Sequence, residues 1–247
     1  MEFENFWKKK DSQITKSKVG VEINKDFKPT RACIIDDTKE IDSQTKEILL
    51  SIEKNGVYVN YIKDNDFFEQ GIMKNAGEST YAISECDEKN KFGEDYCNCT
   101  GFIIVGEDKD SKKQISSMSH QYPDEFLKSK KKEFIKDLVD TVEEIKRRTK
   151  EKSVDVVIFG GNAGGNQNKY NYDIYKKSIK LIGEAFKKEL NFEPTVMTGP
   201  NKGSWRGSTK VYFDTQNRRL YILRPHQESE LNESYLPSEI EEKSKKW

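Results

Sequence analysis

The chain has 247 residues, of which 35% are charged, and its 43 lysines and arginines balance its 43 aspartates and glutamates. A nucleic-acid-binding domain normally carries a basic excess on one face, so this balance argues against that class. No apolar stretch approaches the ~18–20 residues of a membrane-spanning helix, and the opening MEFENFWKKKDSQ lacks the apolar core of a secretory signal. Four cysteines in so long a chain do not make a disulfide scaffold, so we expect free thiols and a cytoplasmic protein. A substrate of a non-classical secretion system would have the same composition.

The first third of the chain is polar, with one recognisable unit. Residues 1–30 lack periodicity and predict a flexible lead. Three elements then follow: a strand RACIIDD (31–37), a helix DSQTKEILLSIEKNG (42–56) and a strand VYVNYI (57–62). Residues 63–95 are dominated by Asp, Glu, Lys, Asn and Gly and predict a surface excursion with at most one short element. We therefore interpret 31–95 as an extension, either inserted into the main sheet or folded as a small lobe.

The pattern becomes regular in residues 96–225, which we interpret as the main domain. The predicted elements are a strand at 100–106, a weaker strand at 112–120, a helix at 124–150, a strand at 153–161, a helix at 171–190, a strand at 193–199, and two strands within 208–225 around a turn at 215–217. This order predicts an α/β or α+β domain that ends in antiparallel pairing. Residues 226–247 predict a polar tail.

The stretch YCNCTGFIIVG places two cysteines immediately before an apolar strand. Cys97 and Cys99 would share one face of a strand, so a metal site with His120 and His226 is one interpretation. Zinc sites usually separate paired cysteines by two to four residues, and here only Asn98 lies between them. The sequence therefore does not match the usual zinc spacing.

A second interpretation makes Cys99 a nucleophile. His120 follows 21 residues later, which is the distance for one strand, a turn and a return strand that brings the imidazole beside the sulfur. An adjacent imidazole can take the proton of a thiol and stabilise the thiolate. Thr100 and Gly101 leave room for a backbone N–H to stabilise an oxyanion. Buried cysteines and hydrogen-bonded histidines are also ordinary, so spacing alone leaves both interpretations open.

The stretch FGGNAGGN, residues 159–166, joins a predicted strand to a predicted helix. Such a glycine-rich turn can hold phosphate at a helix N-terminus. The glycine spacing matches neither G-x-G-x-x-G nor the phosphate-binding loop that ends in Lys-Ser/Thr. The alternative is that these glycines allow close approach of another element.

Several segments together resemble the CheD chemoreceptor glutamine deamidases. The run CNCTGFIIVG…SSMSHQYP resembles the family's cysteine, apolar strand and His-x-x-Leu-Pro return strand, with Cys99 at the nucleophile, His120 at the base and Pro123 at the proline. VDVVIFGGNAGG resembles its strand ending in Phe-Gly-Gly, and SWRGSTKVYFDTQNRRLYILR resembles its Gly-Arg run and closing hairpin. The resemblance covers about residues 97–224.

The resemblance implies a layered α/β/β fold of mixed sheets with flanking helices, shared with cytotoxic necrotizing factor-type toxins. It implies hydrolysis of a glutamine side-chain amide on a protein substrate, without cofactor or metal. Cys99 and His120 would be catalytic. The predicted binding residues are Asn98, Thr100, Gly160, Gly161, Asn162 and Arg206.

The chain departs from the family pattern in three places. Cys97 and Asn98 stand where the family has glycine and serine before the cysteine. The family has a threonine six positions before the cysteine that helps to orient the histidine, and this chain has Gly93 there, followed by the acidic Glu94 and Asp95. Either a carboxylate substitutes for the threonine or the third group comes from elsewhere. About 95 residues precede the motif that the compact chemotaxis enzyme lacks, which suggests a different target. The alternatives are an inactive protein-binding module and a bacterial effector deamidase that acts on a host protein.

Overall fold

The computed structural model describes residues 28–60, 73–74, 80–96, 99–161, 169–198 and 208–224. In this part of the chain there are four helices: α1 (Ser43–Asn55), α2 (Pro123–Ser129), α3 (Lys131–Arg148) and α4 (Lys169–Leu190). The strands are β1 (Arg31–Asp36), β2 (Val57–Tyr58), β3 (Met73–Lys74), β4 (Tyr81–Ser84), β5 (Lys91–Tyr96), β6 (Thr100–Glu107), β7 (Gln114–Gln121), β8 (Asp155–Gly160), β9 (Thr195–Thr198), β10 (Ser208–Asp214) and β11 (Arg219–Arg224).

The strands form two mixed sheets. The five-stranded sheet has the order β1-β11-β10-β5-β2, and the six-stranded sheet has the order β3-β4-β7-β6-β8-β9. The pairs β1–β11, β2–β5 and β8–β9 are parallel, and the other pairs are antiparallel. Both sheets combine strands from before and after residue 96, so the strands of 31–95 do not form a separate sheet in the described residues.

Three apolar layers hold these elements together. The layer between the sheets includes Ile103 and Met118 of one sheet and Val211 and Ile222 of the other. A second layer lies between the six-stranded sheet and the helices α2, α3 and α4, and a third lies between α1 and the five-stranded sheet. Alternate residues of β6 therefore face different layers, which is why the whole strand is apolar. No described helix is long and apolar enough to cross a membrane.

The mixed α/β class and most predicted elements of the main domain are confirmed. The weak strand at 112–120 is β7, and the two strands within 208–225 are β10 and β11 around a turn at 215–218. The single helix predicted at 124–150 is wrong, because the helix is interrupted at Lys130 and forms α2 and α3.

The predicted surface excursion at 63–95 is also wrong in its second half. All four residues of β4 are buried, and β5 pairs with β10 in the five-stranded sheet. β5 was not predicted because its composition is polar and a lysine normally indicates an exposed segment. Here the one cation of the strand, Lys91, is buried in an ion pair with Asp87. The predicted lead and tail, 1–30 and 226–247, lie almost wholly outside the described residues.

Candidate functional site

The hairpin of β6 and β7 brings the two predicted catalytic residues to one end of the sandwich. Thr100 pairs with Gln121 in this antiparallel register. His120 therefore lies opposite Gly101, and Cys99, two residues before Gly101, is its diagonal neighbour on the same face. Diagonal positions in such a pair are about 7–8 Å apart, which a ring side chain can span. The predicted strand–turn–return geometry is thus present.

Both side chains are buried between the two sheets. Cys99 is 3% exposed and packs in the layer that also contains Tyr96 and Phe159, while His120 is completely buried. Burial lowers the pKa of His120 to about 3, and a backbone hydrogen bond with Val59 acts in the opposite direction. The imidazole is therefore neutral near pH 7, and burial makes it a weaker base than a histidine in water.

Tyr96, the last residue of β5, is in direct contact with the imidazole. The two rings are stacked, with centroids 4.0 Å apart and planes inclined by 24°. Burial raises the pKa of Tyr96 well above its ordinary value, and the nearby Cys99 adds to that shift. The phenol is therefore a neutral group. Sequence reasoning missed both Tyr96 and the Val59 carbonyl, because their proximity to His120 depends on pairing between distant strands.

Gly160, the last residue of β8, and Gly161, which follows it, are placed by their backbone conformation. Gly160 and Gly161 have φ angles of 83° and 69°, which glycine adopts without the steric cost of a side chain. The Gly161 N–H donates to the carbonyls of both Tyr96 and Cys99, at 3.1 and 2.7 Å. The described part of this turn therefore directs the Gly161 amide to the backbone around the cysteine and leaves it unavailable to a phosphate.

Replacing Gly161 by alanine is expected to destabilise the fold by about 2–4 kcal/mol, from left-handed backbone strain and overpacking. A Cβ there would lie 2.2 Å from the Tyr175 ring. Urea denaturation of the variant measures the loss. The control compares the double variant Gly161→Ala/Tyr175→Ala with Tyr175→Ala alone, which gives the stability cost of Gly161→Ala when the Tyr175 ring is absent. Equal costs of Gly161→Ala in both backgrounds would contradict the steric explanation.

Thr100 is buried, but on the helix-facing side of β6. Its Oγ1 accepts a hydrogen bond from Gln121 Nε2 at 3.1 Å. Because Thr100 alternates with Cys99 and Gly101, its side chain points away from the layer that contains the cysteine. The backbone of Thr100 is still adjacent to Cys99. Of the groups of Thr100, only the backbone N–H can therefore have the predicted oxyanion-stabilising role.

The other sequence-predicted residues are Cys97, Asn98, Asn162, Arg206 and His226, and they lie outside the described residues. Described neighbours of four of them are at the cysteine end. Tyr96 and Cys99 flank Cys97 and Asn98, Gly161 precedes Asn162, and Ser208, two residues after Arg206, pairs with Tyr96. Within the described residues, no three His, Cys, Asp or Glu side chains are grouped so that they would hold a metal ion.

Comparison with known proteins gives no matching family model and no matching curated protein.

Proposed function

We propose that this chain is a cofactor-independent cysteine hydrolase of the protein-glutamine deamidase type, with a CheD-like layered fold. The observation that carries the proposal is the diagonal placement of Cys99 and His120 on one face of the β6–β7 hairpin. The protonation state of His120 agrees with the proposal, because a general base must be unprotonated and this imidazole is neutral near pH 7.

The proposed reaction begins with transfer of the Cys99 proton to His120. The thiolate attacks the glutamine side-chain carbon, and the tetrahedral intermediate collapses as the imidazolium gives its proton to the departing ammonia. The resulting thioester is attacked by water, whose proton passes to His120. Cleavage of the C–S bond then returns that proton to the sulfur and leaves a glutamate side chain.

The substrate in this proposal is a glutamine-bearing protein, and the site of action is the cytoplasm, either of the cell that makes the enzyme or of a host. The predicted binding residues Asn98, Asn162 and Arg206 would contact the substrate from segments that begin or end at the cysteine end of the sandwich. No metal or nucleic acid takes part in this reaction.

Deamidation is tested without knowledge of the substrate by incubating the protein with a cell lysate in ¹⁸O-labelled water. Hydrolysis of a glutamine amide places one labelled oxygen in the new glutamate, which peptide mass spectrometry locates. We expect labelled glutamates with the wild-type protein and their loss with Cys99→Ser or His120→Asn. Removing such a nucleophile or base commonly lowers turnover by about 10⁴-fold or more.

Cys33→Ser is the matched control, because Cys33 lies in β1 and packs with the α1 layer. It should keep the wild-type labelling. Loss of labelling in Cys97→Ser but not in Cys99→Ser would move the nucleophile by two residues.

The complete burial of His120 and the glycine at position 93 favour a second candidate, an inactive protein-binding module. This candidate predicts no labelled glutamate above the Cys99→Ser background in lysates of bacterial or eukaryotic cells. It also predicts that Cys99→Ser leaves partner binding unchanged.

A further inference from the structure

We propose that Tyr96 is the positioning residue for His120. It would orient the imidazole in place of the threonine that the CheD resemblance implies at position 93. This inference rests on the proposed function. It concerns a residue that sequence reasoning did not select, and it explains how the site can lack the threonine.

The contact geometry is suited to fixing an imidazole. A histidine on a strand has two side-chain torsions, and the second is broad and weakly restrained by itself. The Tyr96 ring lies against the His120 ring at 4.0 Å with a 24° inclination. Rotation of the imidazole about its second torsion would drive its edge into that ring, so the contact holds the imidazole in the plane in which it makes its backbone hydrogen bond with Val59. That hydrogen bond selects the orientation of the two nitrogens and the tautomer.

Tyr96 is itself held by two contacts and by its burial. Its hydroxyl donates to the Ser119 carbonyl at 3.3 Å. Phe159 packs edge-on against its ring, with centroids 5.1 Å apart and planes at 65°. The residue is completely buried, so the ring has no solvent-facing rotamer. A ring immobilised in this way can transmit its position to the imidazole.

The backbone of Tyr96 is tied to that of the candidate nucleophile. The Gly161 N–H donates to the carbonyls of both Tyr96 and Cys99. One amide therefore sets the relative position of the residue that orients the imidazole and the residue that carries the thiol. The two halves of the candidate pair are therefore coupled through the Gly161 amide.

The space at position 93 explains why no side chain orients the histidine from there. A Cβ on Gly93 would lie 2.6 Å from the Val59 carbonyl oxygen and 2.8 Å from the Tyr96 hydroxyl. The Val59 carbonyl and the Tyr96 phenol thus occupy the volume that a threonine would need. Glycine is required at 93 because Tyr96 occupies that place.

The test is NMR of the His120 imidazole, which is accessible because the chain has only two histidines. His226→Gln identifies the His120 signals. In the wild-type protein we expect one tautomer and a ring-current shift from the stacked phenol. Tyr96→Leu should lose the ring-current shift and give signals averaged over tautomers, while Tyr96→Phe should keep both features because it keeps the stacked ring.

Phe213→Leu is the control for a purely structural effect, since it removes a ring of similar size from the same buried layer at the position that pairs with Lys91, the other end of β5 from Tyr96. It should leave the His120 tautomer unchanged. The initial rate of ¹⁸O incorporation should fall about 10- to 100-fold in Tyr96→Leu, as expected for a misplaced catalytic group, and recover in Tyr96→Phe.

A wild-type tautomer and line shape in Tyr96→Leu would overturn the inference, as would an equal disturbance in Phe213→Leu. If Tyr96→Leu fails to fold, Tyr96→Phe and Tyr96→Trp test the inference instead. Both variants retain a stacked ring, so loss of the single His120 tautomer in both would overturn the inference. The NMR readout requires no turnover. Failure of the deamidase proposal would therefore appear as absent labelling with an ordered imidazole, and failure of the present inference as an imidazole indifferent to Tyr96.

Discussion

The free energy of unfolding is expected to fall by about 2 kcal/mol between pH 7.5 and pH 5 through His120 alone, and by about 4–5 kcal/mol by pH 3. Burial lowers the pKa of His120 from 6.5 to about 3 in the folded protein. Between these two values the unfolded chain binds a proton at this position and the folded protein does not. The stability is therefore complete above pH 6.5 and is lost progressively as the pH falls toward 3.

Chemical denaturation at a series of pH values measures this effect, and the interval above pH 5 isolates it from ordinary carboxylates, whose pKa values are ~4. His120→Phe, which keeps a ring beside Tyr96, should flatten the dependence in that interval. His226→Gln should keep the wild-type slope. A wild-type slope in His120→Phe would show that His120 is not the group responsible.

The second large effect is expected at Lys91, whose side chain is fully buried in β5. Its ammonium group pairs with Asp87 and donates to the Lys89 carbonyl at 3.0 Å. Burial lowers the pKa of Lys91, and the charge of Asp87 acts against that shift. Asp87→Asn would leave a buried cation without its counter-ion. We expect a cost of about 2–4 kcal/mol, below the full range for buried pairs because the Asp87 side chain is 34% exposed.

Lys91→Met should be neutral or stabilising by about 1–4 kcal/mol, because it removes the charge and fills the same space with an apolar chain. Urea denaturation of the two variants at pH 7 tests this asymmetry. The exposed pair of Lys113 and Glu88 is the control, and Lys113→Met should change the stability by about 0–1 kcal/mol. A cost for Lys91→Met equal to that of Asp87→Asn would contradict the explanation.

The polar cluster that includes this ion pair lies at the end of the sandwich opposite Cys99. The turn between β10 and β11 is anchored there by Thr215, whose hydroxyl contacts Ser116 and the Lys89 carbonyl at 2.8 and 2.7 Å. Arg218 binds the carbonyls of Lys28 and Ser153, both at 2.7 Å. These contacts connect the two sheets. Lys91 begins β5 and Tyr96 ends it, so variants of Lys91 and Asp87 change the stability of the fold without altering a residue of the candidate site.

The sequence by itself was sufficient for the elements with a strong apolar pattern. The glycines and continuous apolar run of β6 identify a strand buried on both faces, and the regular apolar stripe of α3 identifies a helix packed on a sheet. The spacing of Cys99 and His120 was enough to predict the hairpin that makes them diagonal neighbours, because an antiparallel return strand has a narrow range of lengths.

Only the tertiary structure decided what surrounds the histidine. KFGEDY in β5 has too few apolar residues to be recognised as a strand. Its lysine can be buried because Asp87 pairs with the charge, and its glycine leaves space for the Val59 carbonyl and the Tyr96 hydroxyl. Tyr96 reaches His120 because β5 lies in one sheet and β7 in the other, and the two sheets pack face to face. Contacts of that kind depend on how two sheets stack, and no periodicity within a single strand encodes them.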